Sequence, residues 1–456
     1  MRRILAISFL TLKAAFRFRV VLVMALLLIA GVVILPLIIK DDGTARGFTQ
    51  IIVTYTLALT TTLLGFATLW LSCGILARES EEAQVQMVVD KPIGRWQIWP
   101  GKWLGIVMLN AILLTLAGGV IYGFMRWRAN QLTAEEQEVL RKEVFVARKV
   151  AREELPNYDH MAADFVRERL KNSAPPEGLR VDQVQAIIRE QMKARDQLVP
   201  PGQRRIWEIY VAPPAELKDR PMTIRARFDP PVPDLGERFM TYWEFGDLQT
   251  KNQFETNFVM PAETFVEFPI PPNLFNDKGE LHIRFDNLTE KALLFTEDGM
   301  EVMYRVGGFG WNFVRGLGVI FCWLTLLAGL GLAGASFLSF PVAAFCSIGV
   351  LILTLSTGML QQIVDEGGIV AVDPNTGQVE DPGLINRVAL PMAKGMLTTY
   401  NLARGFPPID NLSSGRAITW GEFAQAFLQI CVLLGGFLAA IGIAIFTRRE
   451  LATAQK

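Results

Sequence analysis

The sequence carries few residues with reactive side chains. Its 456 residues include only four cysteines and two histidines. Cys73, Cys322, Cys346 and Cys431 all fall inside apolar runs and none lies in the long polar middle. They read as small buried hydrophobes. His160 and His282 are far apart and sit in different sorts of segment, which argues against a His/Cys metal cluster. Net charge is also missing, with 45 basic residues against 45 acidic ones, so nothing points to a nucleic-acid partner. A phosphate-binding G-x-x-x-x-G-K-[ST] loop is absent. Gly101-Lys102-Trp103 lacks both the upstream glycine and the hydroxyl that such a loop uses for phosphates and Mg²⁺. No nucleophile–base pair or paired carboxylate stands at a recognisable spacing, and Asp365-Glu366 reads as a solvated loop pair. Neither catalytic nor cofactor-binding residues are expected in this chain.

What is abundant is apolar sequence. Hydrophobic residues make up 51% of the chain, and the mean hydropathy is +0.29. The excess is gathered into runs long enough to cross a bilayer. Residues 1–19 hold Arg2, Arg3, Lys13, Arg17 and Arg19 without an acid and predict a basic amphipathic helix on the cytoplasmic surface. Val20–Ile39 is uninterrupted and too long for a signal-peptide core, so it predicts a first crossing. Phe48–Ala77 predicts a second, with threonines (Thr54, Thr56, Thr60, Thr61, Thr62) that can bond their own backbone. Lys102–Met125 predicts a third. Val314–Ala335 and Pro341–Leu360 predict a fourth and fifth across the short turn Ser336–Phe340, and Phe423–Phe446 a sixth. Segment 361–421 is an outside loop in which 386–402 is too short to span. Basic ends (Arg448, Arg449, Lys456) place both tails inside. Arg126 and Arg128 then fall outside, against the usual bias.

The fold class expected is therefore a six-helix integral membrane protein with an inserted α+β domain. Its parts are 1–126 (helices one to three), 127–203 (helical), 204–308 (β) and 309–456 (helices four to six). In the insert, Thr133-Ala-Glu-Glu predicts a helix start, and 135–152 continues without Gly or Pro. Further helices are expected near 157–172 and 181–197. From Arg204 the pattern alternates in about eight short runs separated by turn residues, which predicts a jelly-roll-like β-sandwich. Trp207, Tyr242 and Trp243 have two readings there, as stacking faces for a glycan or as core filling.

The loop 78–102 has acids first (Glu79, Glu81, Glu82), then an apolar stretch (Val85, Met87, Val88, Val89). Asp90-Lys91-Pro92 follows, and then a basic, aromatic end (Arg95, Trp96, Trp99, Lys102, Trp103). Its Lys91-Pro92-Ile93-Gly94-Arg95-Trp96-Gln97-Ile98 and Gly101-Lys102 resemble the corresponding loop of ABC-type exporter permeases of the six-helix class (ABC-2-like). Ala83-Gln84 stands where many of those relatives carry Gly-Thr. Ser413–Trp420 resembles a segment common in the same family, including permeases that serve copper-enzyme maturation. The resemblance covers the membrane core and not 127–308.

That resemblance implies a permease subunit in the inner membrane, with 127–308 extracytoplasmic. It implies docking on a separate cytoplasmic ATPase, which would hold the ATP and Mg²⁺, through Glu79, Glu82, Met87, Val88, Lys91, Pro92, Arg95 and Trp96. It also implies a dimer, with a second copy or a sister permease, and a path between the two. The plain alternative for 78–102 is a solvated loop with interfacial tryptophans. For the whole chain the alternatives are mechanotransmission to an extracytoplasmic partner without transport, and a membrane-anchored module that binds a glycan or protein.

Overall fold

The computed structural model describes residues 2–17, 19–38, 45–81, 94–172, 181–231, 237–246, 252–355, 390–398 and 405–448. In chain order the helices and strands begin with α1 (Arg2–Arg17), α2 (Arg19–Ile38), α3 (Ala45–Glu81) and α4 (Arg95–Ala129). There follow β1 (Val146–Ala151), α5 (Tyr158–Asn172), α6 (Val181–Gln197) and β2 (Leu198–Val199). Then come β3 (Arg204–Tyr210), β4 (Met222–Ala226), β5 (Arg238–Phe245), β6 (Phe254–Pro261), β7 (Val266–Ile270), β8 (Glu280–Asp286), β9 (Leu293–Leu294) and β10 (Met300–Gly308). The chain closes with α7 (Phe309–Ala335), α8 (Phe340–Leu355), α9 (Pro408–Ser413) and α10 (Trp420–Arg448). Two units result, one from 1–146 with 308–456 and the other from 147–307.

The first unit is helical. Among the described residues four helices are long and apolar enough to cross a membrane: Thr49–Ala77, Arg95–Ala129, Phe309–Ala335 and Trp420–Arg448. Arg2–Arg17 and Leu22–Leu35 meet at 72° and pass the same test together as one bent span. Six spans were expected, and the described residues reach four, or five with the bent pair. The shortfall falls on α8, whose described apolar stretch, Phe340–Ile352, is short. The expected fifth crossing extends to Leu360, and 356–389 lie outside the described residues. Apolar side chains face outward over much of this unit, including Leu22, Leu26 and Ile34 on α2 and Leu428, Leu433 and Phe437 on α10. Only 22% of the apolar window of α10 is buried. In water such surface invites aggregation, and in a bilayer it is matched by lipid.

The threonines of α3 behave as their spacing predicts. Thr54, Thr56 and Thr60 donate to the carbonyls of Gln50, Ile52 and Thr56 at 2.9, 2.6 and 2.7 Å. Thr61 is different, with a buried hydroxyl that has no partner among the described residues. Of the cysteines, Cys73 and Cys322 are buried, Cys431 is partly buried, and Cys346 is exposed on α8. The expectation of four buried thiols is corrected at Cys346.

The second unit is a sandwich of two four-stranded sheets, ordered β1-β10-β4-β7 and β3-β8-β5-β6, with a small β2-β9 ribbon. Leaving the ribbon aside, the first strand neighbours the eighth, the second the seventh, the third the sixth and the fourth the fifth. These pairs alternate between the sheets, as in a jelly roll. Alternation fills the interior: Trp207, Trp243, Phe245, Phe285 and Phe295 are all buried, and Trp243 lies 4.7 Å from Phe285 between ring centroids.

Residues 146–151 correct the expected helix over 135–152. A capping box at Thr133 and Glu136 does start a helix, Ala134–Val139. A wide turn, Leu140–Val144, ends it, and β1 follows. β-Branched Val146 and Val150 suit an extended backbone, and pairing with β10 supplies the ladder.

The outer face of β1-β10-β4-β7 carries a buried charge ladder. Glu301 is 0% exposed. It accepts from Arg152 at 2.6 Å and Arg225 at 3.3 Å, while Glu267 takes Arg148 at 2.9 Å. The register sets Glu301 opposite Arg225, and Arg225 opposite Glu267. Helices α5 and α6 pack on each other through Ala162, Val166 and Ile188, and Tyr158 donates to Asp196 at 2.8 Å.

Candidate functional site

The sequence singles out residues 78–102, and the described part of that stretch is helical rather than a loop. Glu79 lies in the last turn of α3, though its side chain is outside the described residues. Glu82, Met87, Val88, Lys91 and Pro92 also lie outside them. Arg95 and Trp96 form the first turn of α4, behind the N-cap Gly94, and both are exposed. Trp96 is 54% exposed. Trp99, expected in the loop, is instead buried in the helix, and Lys102, the expected start of the third crossing, is buried there too. The helix carries Pro100 five residues in, which removes the amide that would bond the Trp96 carbonyl.

The first turns of α4 are held on three sides. On one side is α1, whose apolar stripe buries Ile7, Ser8, Thr11 and Ala15. A Cβ at Gly101 would sit 2.7 Å from Ile7, and one at Gly105 2.8 Å from the Ser8 carbonyl oxygen. Only glycine lets the two backbones come so close. On a second side is α10, where a Cβ at Gly442 would sit 2.6 Å from the Trp99 ring nitrogen. On a third is α7, where the Trp103 indole donates to the Thr325 carbonyl at 3.3 Å. Trp99, Gly101, Trp103 and Gly105, which follow Arg95 and Trp96 along the helix, therefore touch α1, α7 and α10 directly. Deeper in the unit, the Thr68 hydroxyl lies 2.9 Å from Asn110 Oδ1 and bridges α3 to α4. The Asn110 amide nitrogen is buried without a partner among the described residues.

Ser413–Trp420 also has a defined role in packing. The Asn312 amide of α7 donates to the Arg416 carbonyl at 2.7 Å and accepts from the Ile418 amide at 2.7 Å. Thr419 and Glu422 then form a capping box that starts α10. A Thr-x-x-Glu pattern before an apolar run is a legible start signal. The Asn312 clamp has no such signal, because its partners are about a hundred residues away.

In the second unit the proposed stacking faces separate. Trp207 is 1% and Trp243 0% exposed, within the sandwich core. Neither can meet a sugar, so for these two the core-filling reading replaces the stacking one. Their side of the strand faces the opposite sheet. Tyr242 points the other way, onto the outer face of β3-β8-β5-β6. Its hydroxyl donates to Glu255 at 2.6 Å, and that bond raises its pKa. Around it lie Asp286 with Arg204 at 2.5 Å, and Glu244 with Arg284. These polar groups are mutually satisfied. Among the described residues no three His, Cys, Asp or Glu side chains are grouped to hold a metal.

No protein-family model, curated protein or solved structure matches the chain.

Proposed function

We propose that this chain is the membrane-spanning subunit of an ATP-driven transporter of the ABC exporter kind, driven by a separate ATPase through residues 78–102. One observation carries the reading. The exposed Arg95-Trp96 turn sits at the head of a helix whose next turns are clamped by α1, α7 and α10, so a push there moves several helices together. The loop sequence, with its resemblance to exporter permeases, supplies the rest. In this reading six crossings leave both ends and 78–102 inside and 127–308 outside. ATP and Mg²⁺ reside in the partner, a second copy or a sister permease completes the path, and the exposed apolar faces of α2 and α10 meet lipid or that second permease.

The test is co-purification and ATPase stimulation with an ATPase subunit expressed alongside. A double Arg95→Glu/Trp96→Ala change should cut stimulation by about tenfold or more, as expected when a central Trp/Arg contact is lost. The variant should still reach the membrane fraction. No ATPase co-purifying with the wild-type chain, or full stimulation in the double variant, would sink the coupling.

A second reading is favoured by one feature of 147–307, which is a folded unit with its own aromatic core. Here ATP hydrolysis moves this unit on an extracytoplasmic partner and nothing crosses. Deleting 147–307 should then abolish partner contact and leave ATPase stimulation intact, whereas transport by the helical unit alone would survive the deletion.

A further inference from the structure

Between α4 and α7 runs a groove of about 660 Å³, lined mainly by apolar atoms. Gly118, Gly119 and Tyr122 line it from α4, and Trp311, Val314 and Phe321 from α7. The helices are antiparallel along it, since Tyr122 faces Gly310 and Phe313 while Gly118 faces Leu317. Two exposed tryptophans stand towards the Tyr122 end, Trp311 at 70%, which lines the groove, and Trp127 at 54%, five residues beyond Tyr122 on α4. Amphipathic rings of this kind settle at the headgroup level of a bilayer. One turn beyond Tyr122 stands Arg126, also exposed. Its guanidinium donates to the Tyr122 hydroxyl at 3.3 Å and lies 5.6 and 5.7 Å from the Tyr122 and Phe145 ring centres. No carboxylate of the described residues pairs with it. The cation thus stands on the polar tip of a ring whose body lines an apolar groove. In the sequence the same arginine is anomalous, a positive charge on the side of the membrane that usually lacks it.

On the reading that these helices span a bilayer, we infer that the groove binds one anionic phospholipid, with an acyl chain along α4 and α7 and the phosphate on Arg126. Charge complementarity selects this occupant. A guanidinium held by aromatic faces keeps N–H donors for phosphate oxygens, and the groove below is apolar apart from Thr115 and the polar tips of Tyr122 and Trp311. A second copy of the chain docked through the same groove would set its own Arg126 beside this one.

The test uses the full chain in nanodiscs of mixed phosphatidylcholine and phosphatidylglycerol, with retained lipid counted by native mass spectrometry. Alkaline carbonate extraction first reads membrane insertion. The wild type should retain phosphatidylglycerol in preference to phosphatidylcholine by about tenfold, the scale of one charge-assisted contact. Arg126→Gln should bring that ratio close to one. Gly119→Phe should lower retention of both lipids. A Cβ at Gly119 meets no atom within 4 Å, so the added side chain starts into open space on the groove wall, and retention in the membrane fraction checks that the variant folds. Equal retention of both lipids by the wild type, or an unchanged ratio in Arg126→Gln, overturns the site while leaving the membrane reading intact. A Gly119→Phe chain that changes oligomeric state and keeps its lipid assigns the groove to a second copy and overturns the site as well. A chain released by carbonate overturns the membrane reading and the lipid site with it.

Discussion

The two units of this chain solve burial in opposite ways. The helical unit turns apolar side chains outward and holds polar contacts inside, such as Thr68 with Asn110, Asn312 with the 416–418 backbone, and threonines bonded to their own helix. The β unit hides Trp207, Trp243 and the phenylalanines of its core and spends its charges in pairs, from the exposed Arg204–Asp286 to the buried Glu301. Each arrangement suits a different solvent. A helix satisfies its own backbone and so can face hydrocarbon. A sandwich keeps polar side chains on the alternate face of every strand and so can face water.

Substitutions test that contrast, and the largest effect is expected at Glu301. Glu301→Ala should destabilise the β unit by about 3–5 kcal/mol, because Arg152 and Arg225 lose a shared buried partner. Tryptophan fluorescence during chemical unfolding reads it, and a loss under ~1 kcal/mol would show that the ladder contributes little to stability. In the helical unit the matching weak points are glycines. Gly105→Val should cost about 1–3 kcal/mol by overpacking α1 against α4. Proteolysis of α1 should speed up while the β unit stays protected, and an equal loss in both units would undo the division into two.

A subtler effect concerns Tyr158. Burial first, and then its hydrogen bond to Asp196, push its pKa up to about 12. The unfolded phenol titrates near 10. As pH rises from about 10 towards 12, the unfolded chain loses this proton while the folded chain keeps it, so stability falls across that window. Tyr158→Phe should flatten that slope in the β unit and leave carbonate extraction of the helical unit unchanged. A slope identical to wild type would remove Tyr158 from the account. The smallest effect is expected at Arg95→Glu. An exposed first-turn charge should shift stability by no more than about 0.5 kcal/mol, so any loss of ATPase stimulation there reads coupling rather than folding.

Much of this arrangement was legible in the residues. Apolar runs located the long helices, the Thr133 and Thr419 boxes marked two helix starts, and strict alternation from Arg204 announced a sandwich. These signals are local, set by one helical turn or one strand. The failures are non-local. Residues 146–151 carry charges without Gly or Pro, as a helix would, and become a strand because β10, about 150 residues later, offers them a ladder. Trp207 and Trp243 had two readings, stacking face or core filling, and strand parity decided for the core. Arg95 and Trp96 read as loop because they close a polar stretch between two apolar runs, yet they open the first turn of α4.

By itself, then, the order of residues determined which stretches bury apolar surface, with what period, and where charge collects at their ends, since periodicity and capping act within a few residues. Tertiary structure alone decided three things: the nested strand order of the sandwich, the glycine contacts that seat α1 on α4, and the meeting of Arg126 with the groove between α4 and α7. Each depends on backbones approaching from distant parts of the chain, and such an approach leaves no local trace in the sequence.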